Sequence, residues 1–244
     1  MNVYEQQALK ELLRWKKAMN KQPSVVDRFS KKMQVKLNSY IPEKIHAALT
    51  TAIKQMVRAV LFGAGFTTPL RKTDGDLLSR ELLVRNKISS YRKTAAAEGG
   101  ITGAGGFLFG LADFPLLLGI KMKLLFDIAA LYGYDVKDYR ERLFILYIFQ
   151  LAFSSQQHRR KIFADVENWS EYVKSIPPTL EEFDWRAFQQ EYRDYIDLAK
   201  MLQLVPGIGA VVGIVVNYKL INKLGETAIN AYRLRWQHQH LLQH

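Results

Sequence analysis

Residues 99–120, GGITGAGGFLFGLADFPLLLGI, contain seven of the fifteen glycines in the chain. Their composition is the one in the chain that best fits a phosphate-binding loop. Such loops have fixed spacings: G-x-G-x-x-G after a strand, or glycine followed by Lys and Ser/Thr. Here Leu108 stands where the third glycine of a dinucleotide loop belongs, and Gly106 is followed by Phe107. The later run LVPGIGAVVGIVVNY has Val212 at the third position. Neither run predicts a nucleotide site.

Histidine is the second residue type that could carry chemistry. His240 and His244, four residues apart in the C-terminal QHQHLLQH, can bind zinc if a third ligand comes from elsewhere. No H-E-x-x-H motif accompanies them and the chain has no cysteine, so a frayed, solvated tail is the simpler interpretation. The acidic pair Glu181 and Glu182 fits the first turn of a helix. With no G-x-S-x-G motif either, we expect no metal, no cofactor and no enzymatic activity.

The glycines of the first run suggest a helix with one small face. At helical spacing this face holds Gly99, Gly103, Gly106 and Gly110, with Asp113 continuing the line. Gly209 and Gly213 form a shorter face that continues to Asn217. Small faces let helices approach closely or leave a groove between them, so the two segments are predicted to pack together. A loop over residues 99–106, with glycines chosen for positive φ, is an open alternative.

A transmembrane helix over residues 99–120 is long enough but chemically unsuitable. Asp113 costs about 2.5–3.5 kcal/mol near the centre of a span, and Pro115 interrupts the helix. We therefore expect a new helix to begin at Phe114. Asp113 then either caps that helix by accepting the amide of Leu116, or meets Asn217 in the groove and binds a ligand headgroup. Both roles remain open.

Positive charge is concentrated in the N-terminal part of the chain. Residues 1–98 carry +11, residues 99–203 carry −2 and the remainder +3, within a total of +12. The first predicted helix is basic and amphipathic. Its apolar stripe consists of Tyr4, Ala8, Leu12, Trp15 and Met19. A membrane-contact face is predicted from Lys10, Arg14, Trp15, Lys17 and Lys21. Docking of the stripe on the protein core is the commoner arrangement for such a helix.

Helical periodicity continues along the whole chain and predicts an all-α fold in a single domain. One stripe runs from Ile41 to Val60, another contains Leu78, Leu82 and Ile88, and a mostly buried helix begins at Tyr139. The segment starting HRRK predicts an amphipathic helix ending before Pro177. Thr179 and Glu182 form a capping box, which predicts that the next helix begins there. We divide the domain into a basic helical region, 1–98, and a glycine-rich region, 99–244.

Two blocks of the sequence resemble the signature regions of the EcsC protein family. The first is GGITGAGGFLFGLADFP running on to KLLFDIAALYGYD, and the second is LVPGIGAVVGIVVNYKLINKLGETAINAYRLR. The positions that match the family pattern are Gly99, Gly100, Gly103, Asp113, Pro115, Tyr132, Gly133, Asp135, Pro206, Gly209, Gly213 and Asn217. The resemblance implies a bacterial protein from a family named for a member encoded beside an ABC-type transporter, with no catalytic residues to carry over.

These features favour a non-enzymatic protein at the inner, cytoplasmic face of the membrane, which binds an anionic lipid or a fatty-acid-like ligand. Its predicted groove is formed by Gly103, Gly106, Phe107, Gly110, Asp113, Phe114, Leu117, Gly209, Gly213 and Asn217. The alternative is an accessory protein that docks on a membrane complex such as an ABC-type transporter. Specific nucleic-acid binding ranks last, since charge alone supports it.

Overall fold

The computed structural model describes residues 1–21, 43–62, 68, 75–103, 114–154, 156–184, 186, 188 and 210–241. Within these ranges the regular elements are helices that form one all-α domain, which confirms the predicted fold class. The α-helices of this part are α1 (Val3–Asn20), α2 (Glu43–Leu61), α3 (Leu77–Gly103), α4 (Phe114–Leu131), α5 (Tyr139–Phe153), α6 (Gln156–Glu167), α7 (Trp169–Tyr172) and α8 (Ala210–Leu241). A 3₁₀ turn, Val173–Ser175, directly follows α7.

Helix α1 begins at a capping box and packs on the core through its apolar stripe. The Asn2 side chain accepts the Glu5 N–H and the Glu5 carboxylate accepts the Asn2 N–H, each at 2.8 Å. Leu12 is buried, and the Trp15 ring meets Phe163 of α6 edge-on with the ring centroids 5.3 Å apart. The stripe therefore faces the protein interior, as in the docking alternative.

Helices α4 and α5 form the centre of the core. As expected from Pro115, α4 begins at Phe114, because a proline ring fits the first turn of a helix. The chain leaves α4 through Gly133, whose φ of 90° is left-handed and whose N–H donates to Ala130 O at 3.1 Å. The helix predicted from Tyr139 is α5, which is buried along almost its whole length.

Helices α3 and α8, the longest in the described part, pack antiparallel to each other. Glu81 near the start of α3 pairs with Arg233 near the end of α8, and further along α3 Ile88 meets Gly225. A Cβ atom at Gly225 would lie 2.5 Å from Ile88 Cδ1, so a larger residue there would force the Ile88 side chain to shift. Helix α3 runs through residue 98 without a break, so the basic region and the glycine-rich region share one helix.

The buried face of α3 differs from the predicted one. Leu82, assigned to the apolar stripe, is 54% exposed. The buried row is Leu77, Glu81, Val84 and Ile88. Because this row contains the charged residue Glu81, its sequence pattern does not predict an apolar stripe.

Three further predictions about helix ends are wrong. The segment starting HRRK forms no single helix, because it breaks at Asn168 between α6 and α7. No helix begins at Thr179, since residues 178–183 are bends and turns. The C-terminal tail is not frayed along its length, as α8 continues to Leu241. Most of the helix predicted after Thr179 falls on residues 189–209, outside the described part of the chain.

Candidate functional site

The predicted groove is described only in part. The members that lie outside the described residues are Gly106, Phe107, Gly110, Asp113 and Gly209. Gly103 is the last residue of α3 and Gly213 lies in the first turn of α8. Because the two helices pack antiparallel, both glycines lie at the same end of the helix pair. The loop alternative does not hold for residues 99–103, which are helical.

The other predicted groove residues are buried. Phe114 and Leu117 at the start of α4 are only 1% and 2% exposed, so both are packed within the protein. Asn217 on α8 is 1% exposed, and its Oδ1 has no hydrogen-bond partner in the described part of the structure. An unpaired buried acceptor costs about 1–3 kcal/mol. Asn217 therefore retains capacity to bind a polar group at the glycine-bearing end of α8.

The outer face of α1 is basic. Lys10, Arg14, Lys17 and Lys21 are exposed, and none forms an ion pair within the described ranges. Two apolar side chains accompany them, with Val3 84% and Leu13 54% exposed. The two acids of α1 have other partners, since Glu11 pairs with Arg233 and Glu5 accepts the Asn2 N–H. The face is thus cationic with exposed apolar side chains, whereas Trp15 lies on the opposite, packed side.

A buried charged cluster, here called the Glu81 cluster, connects α1, α3 and α8. Arg233 donates to both carboxylate oxygens of Glu81, from Nε at 2.7 Å and Nη2 at 2.6 Å, and its Nη1 donates to Glu11 at 2.8 Å. Tyr4 and Tyr132 also donate to Glu81, at 2.6 and 3.2 Å. Burial and the Glu81 charge raise the pKa of Tyr132, which keeps this hydroxyl a donor.

A second cluster pairs α5 with α8. Arg235 Nη1 donates to Glu141 at 2.6 Å, and Tyr232 donates to the other oxygen of the same carboxylate at 2.7 Å. The Arg235 guanidinium lies over the rings of Tyr134 and Phe144, 3.7 and 4.6 Å from their centroids. This packing orients the guanidinium and makes the cluster part of the core.

A cavity of about 520 Å³ opens between α3 and α4. It is lined by Thr68, Leu83, Asn86, Lys87, Ser90, Tyr91, Lys123, Asp127, Ala130 and Leu131. The sequence patterns did not predict this cavity. Its one local signal is the i, i+4 pair of Lys123 and Asp127, two charges inside the apolar run of α4.

Asp127 is the centre of this cavity. Its Oδ1 accepts hydrogen bonds from Lys123 Nζ at 2.6 Å and Thr68 Oγ1 at 3.0 Å, and its Oδ2 accepts the Tyr91 hydroxyl at 3.0 Å and lies 3.3 Å from Lys87 Nζ. Burial would raise the pKa of Asp127, but these donors and the two lysine charges outweigh it and lower that pKa. Burial, together with the Asp127 charge, raises the pKa of Tyr91. The carboxylate is thus ionised and the phenol protonated at neutral pH.

Among the residues that the structure describes, no group of three or more His, Cys, Asp or Glu side chains could hold a metal ion. His238 lies on α8 and lines a pocket together with Glu141 and Arg235, and His244 is outside the described residues.

Sequence comparison decides the family. The model of the EcsC protein family matches residues 6–236. The chain belongs to the EcsC protein family. The match covers most of α1 as well as the two glycine-bearing blocks, so the family region extends into the basic N-terminal helix, which the resemblance in sequence did not reach.

Two relatives of this EcsC family member come from Bacillus subtilis (strain 168). Protein EcsC is 50% identical over 228 residues, which cover 93% of this chain and 94% of the relative. A protein described as uncharacterized, YdbA, is 30% identical over 192 residues, covering 76% of this chain and 69% of its own length. No solved structure matches the chain.

No helix of this EcsC family member, in the ranges that the structure describes, is both long enough and apolar enough to cross a bilayer.

Proposed function

We propose that this EcsC family member is a non-enzymatic protein that associates with the cytoplasmic face of the membrane and binds a lipid or another apolar ligand. The observation that carries the proposal is the outer face of α1, with its four exposed cations and two exposed apolar side chains. Such a face suits an anionic headgroup layer, where apolar side chains can enter the interface.

The packing of α1 strengthens this argument. Lys16 pairs with Glu167 of α6 at 2.6 Å and Glu11 pairs with Arg233 of α8, so the helix is fixed to the core on its inner side. Lys10, Arg14 and Lys17 then project from a fixed helix over a length of about 10 Å, at about 1.5 Å rise per residue. Each cation near an anionic membrane contributes about 1 kcal/mol, screened over about 8 Å at physiological salt. A helix that is already fixed to the core loses little backbone entropy on binding.

Asn217 supports the ligand part of the proposal. Its buried, unpaired Oδ1 lies on the helix that carries the second glycine segment. A polar headgroup that donates a hydrogen bond there would satisfy the acceptor, while the small faces of α3 and α8 would accommodate the apolar part of the ligand.

Vesicle flotation tests the membrane part. We expect full-length protein to float with vesicles containing phosphatidylglycerol and not with neutral phosphatidylcholine vesicles. Replacing Lys10, Arg14, Lys17 and Lys21 with glutamine should abolish flotation. The matched control replaces three lysines and one arginine that are equally exposed elsewhere, Lys93, Lys137, Arg160 and Lys219. It removes the same charge and should float like the wild type.

An equal loss of flotation in the α1 variant and the control variant would show that only net charge matters. It would contradict a role for α1. Binding to native bacterial membranes but not to protein-free vesicles would favour docking on a membrane complex such as an ABC-type transporter. Native mass spectrometry of the same samples tests the ligand part. A co-purified lipid supports it, and a clean apoprotein counts against it.

A further inference from the structure

Helix α1 is buried far less than the helices at the centre of the core. Two of its 18 residues, Ala8 and Leu12, are buried, whereas α4 has the same length and 13 buried residues. Elements with few buried apolar contacts separate from a fold at the lowest free-energy cost. We propose that an anionic membrane releases α1 from the core and takes up its apolar stripe at the bilayer interface. The inference rests on the proposed membrane association and adds a second step to it, after the first contact through the outer face.

Two ion pairs connect α1 to neighbouring helices, and water reaches both. Glu11 lies 2.8 Å from Arg233 of α8, and the Glu11 side chain is 38% exposed. Lys16 lies 2.6 Å from Glu167 of α6, and these side chains are 31% and 24% exposed. Ion pairs that water reaches contribute little to stability and are screened by salt. A headgroup phosphate can also replace Glu167 as the partner of Lys16, because both are anionic acceptors.

The Glu81 cluster keeps its central pair when α1 leaves. Arg233 of α8 donates to both carboxylate oxygens of Glu81, and the hydroxyl of Tyr132, which follows α4, donates to one of them. Helix α1 contributes the Tyr4 hydroxyl and the Glu11 carboxylate to this cluster. Release of α1 therefore leaves the buried Glu81 with its cation and avoids the large cost of an unpaired buried charge.

Local contacts within α1 favour a helix without help from the core. Asn2 and Glu5 form a capping box at its start, and both belong to the same end of the chain. One turn further on, Gln7 Nε2 donates to Glu11 Oε1 at 3.1 Å. Lys17 lies in the last turn, where a cation interacts favourably with the helix dipole. A released α1 thus keeps the signals that make it a helix.

The bilayer interface matches the released helix better than the docked one. In the docked state the outer face offers the apolar side chains of Val3 and Leu13. Release adds Tyr4, Trp15 and Met19, which are now partly buried against the core. Tyrosine and tryptophan favour the membrane interface, and basic amphipathic helices lie in its plane. This difference in affinity between the two states is what allows a membrane to shift the equilibrium.

Two features hold α1 on the core in water. The Trp15 ring covers Phe163, which is 0% exposed, so release would expose this apolar ring. Glu11 would also leave the guanidinium of Arg233 and meet headgroups of its own charge. Release therefore needs the membrane, and neutralisation of Glu11 should favour it.

Fluorescence quenching of the full chain tests the inference. The probe is a vesicle of phosphatidylglycerol and phosphatidylcholine whose acyl chains carry bromine, which quenches tryptophan at close range. We expect the wild type to lose part of its tryptophan emission on these vesicles. Trp15→Phe keeps an aromatic ring opposite Phe163 and should lose far less, because the other three tryptophans lie outside α1.

A second reporter does not depend on Trp15. The chain has no cysteine, so Ala8→Cys places a single thiol on the buried side of α1. On vesicles that contain a lipid with a maleimide headgroup, this thiol should couple to the lipid when α1 is released. Leu13→Cys is the control, since Leu13 is on the outer face and its thiol should couple in either state.

Glu11→Gln tests what holds the helix on the core. This variant should show Trp15 quenching at a lower phosphatidylglycerol content than the wild type. The matched control is Glu171→Gln, which removes the same charge from an exposed ion pair with Lys174, outside α1. It should show quenching at the same phosphatidylglycerol content as the wild type.

Failure of the inference and failure of the proposed function give different results. Flotation of the wild type without Trp15 quenching, or with coupling of Leu13→Cys and not of Ala8→Cys, would show that α1 stays docked. That result would overturn the inference and leave the membrane association in place. Absence of flotation would overturn both.

Discussion

Helix α3 packs closely against α8 on one side and borders an open cavity beside α4 on the other. On the α8 side, Glu81 is 0% exposed and is held by two donors of one guanidinium. On the α4 side, Asp127 is held by two separate ammonium groups at the edge of a cavity of about 520 Å³. A planar guanidinium fixes one geometry, whereas ammonium groups on flexible stems act as point charges. Charge pairing thus stabilises a close helix contact on one side and lies at the edge of a cavity on the other.

The largest expected effect is on the α8 side of α3, here called the closed side, as opposed to the open side beside α4. Arg233→Met leaves the Glu81 carboxylate buried without its cation, and the loss of one partner of such a pair typically costs about 3–5 kcal/mol. Lys87→Met on the open side removes a half-exposed ion pair and should cost no more than about 1 kcal/mol. Urea denaturation of both variants measures the difference. Equal losses would show that the two sides are energetically alike.

Gly225 gives an intermediate effect on the same closed side. In Gly225→Ala the new Cβ would lie 2.5 Å from Cδ1 and 2.7 Å from Cγ1 of Ile88, so the whole side chain must shift, and overpacking typically costs about 1–3 kcal/mol. The matched control is Gly119→Ala in α4, where a Cβ meets nothing within 4 Å and alanine gains about 1 kcal/mol of helix propensity. We expect opposite shifts of the thermal midpoint. Stabilisation by both changes would contradict tight packing of α3 on α8.

The smallest expected effect concerns acid. The pKa of Asp127 in the folded protein is below its usual value of 3.8. The ionised carboxylate therefore stabilises the fold above pH 3.8, and this stabilisation is lost as the pH falls through the folded pKa. Asp127→Asn lacks this titration and should lose less stability between pH 5 and pH 2.5. Glu11, whose pKa is also lowered, is unchanged in the variant. Identical pH profiles in urea denaturation would show that the cavity lysines do not favour the charged carboxylate.

Local sequence signals located several helices but not the cavity. Pro115 marked the start of α4, and the apolar run from Tyr139 marked α5, because both signals act within one or two helical turns. Lys87 is an ordinary solvated cation in the sequence, and its role depends on Asp127, which reaches it only after α3 and α4 pack. Glu81 likewise has no local sign of its burial, since its cation comes from α8.

The pairing of Glu81 with Arg233 also affects biosynthesis. The two residues are 152 positions apart, so at about 5–20 residues per second a ribosome needs roughly 8–30 s to add the second after the first. Until then the Glu81 carboxylate stays in water, because burying it alone is costly. The side of α3 that packs on α8 therefore stays without its partner throughout this interval. We expect the nascent chain to depend on chaperones until α8 leaves the ribosome.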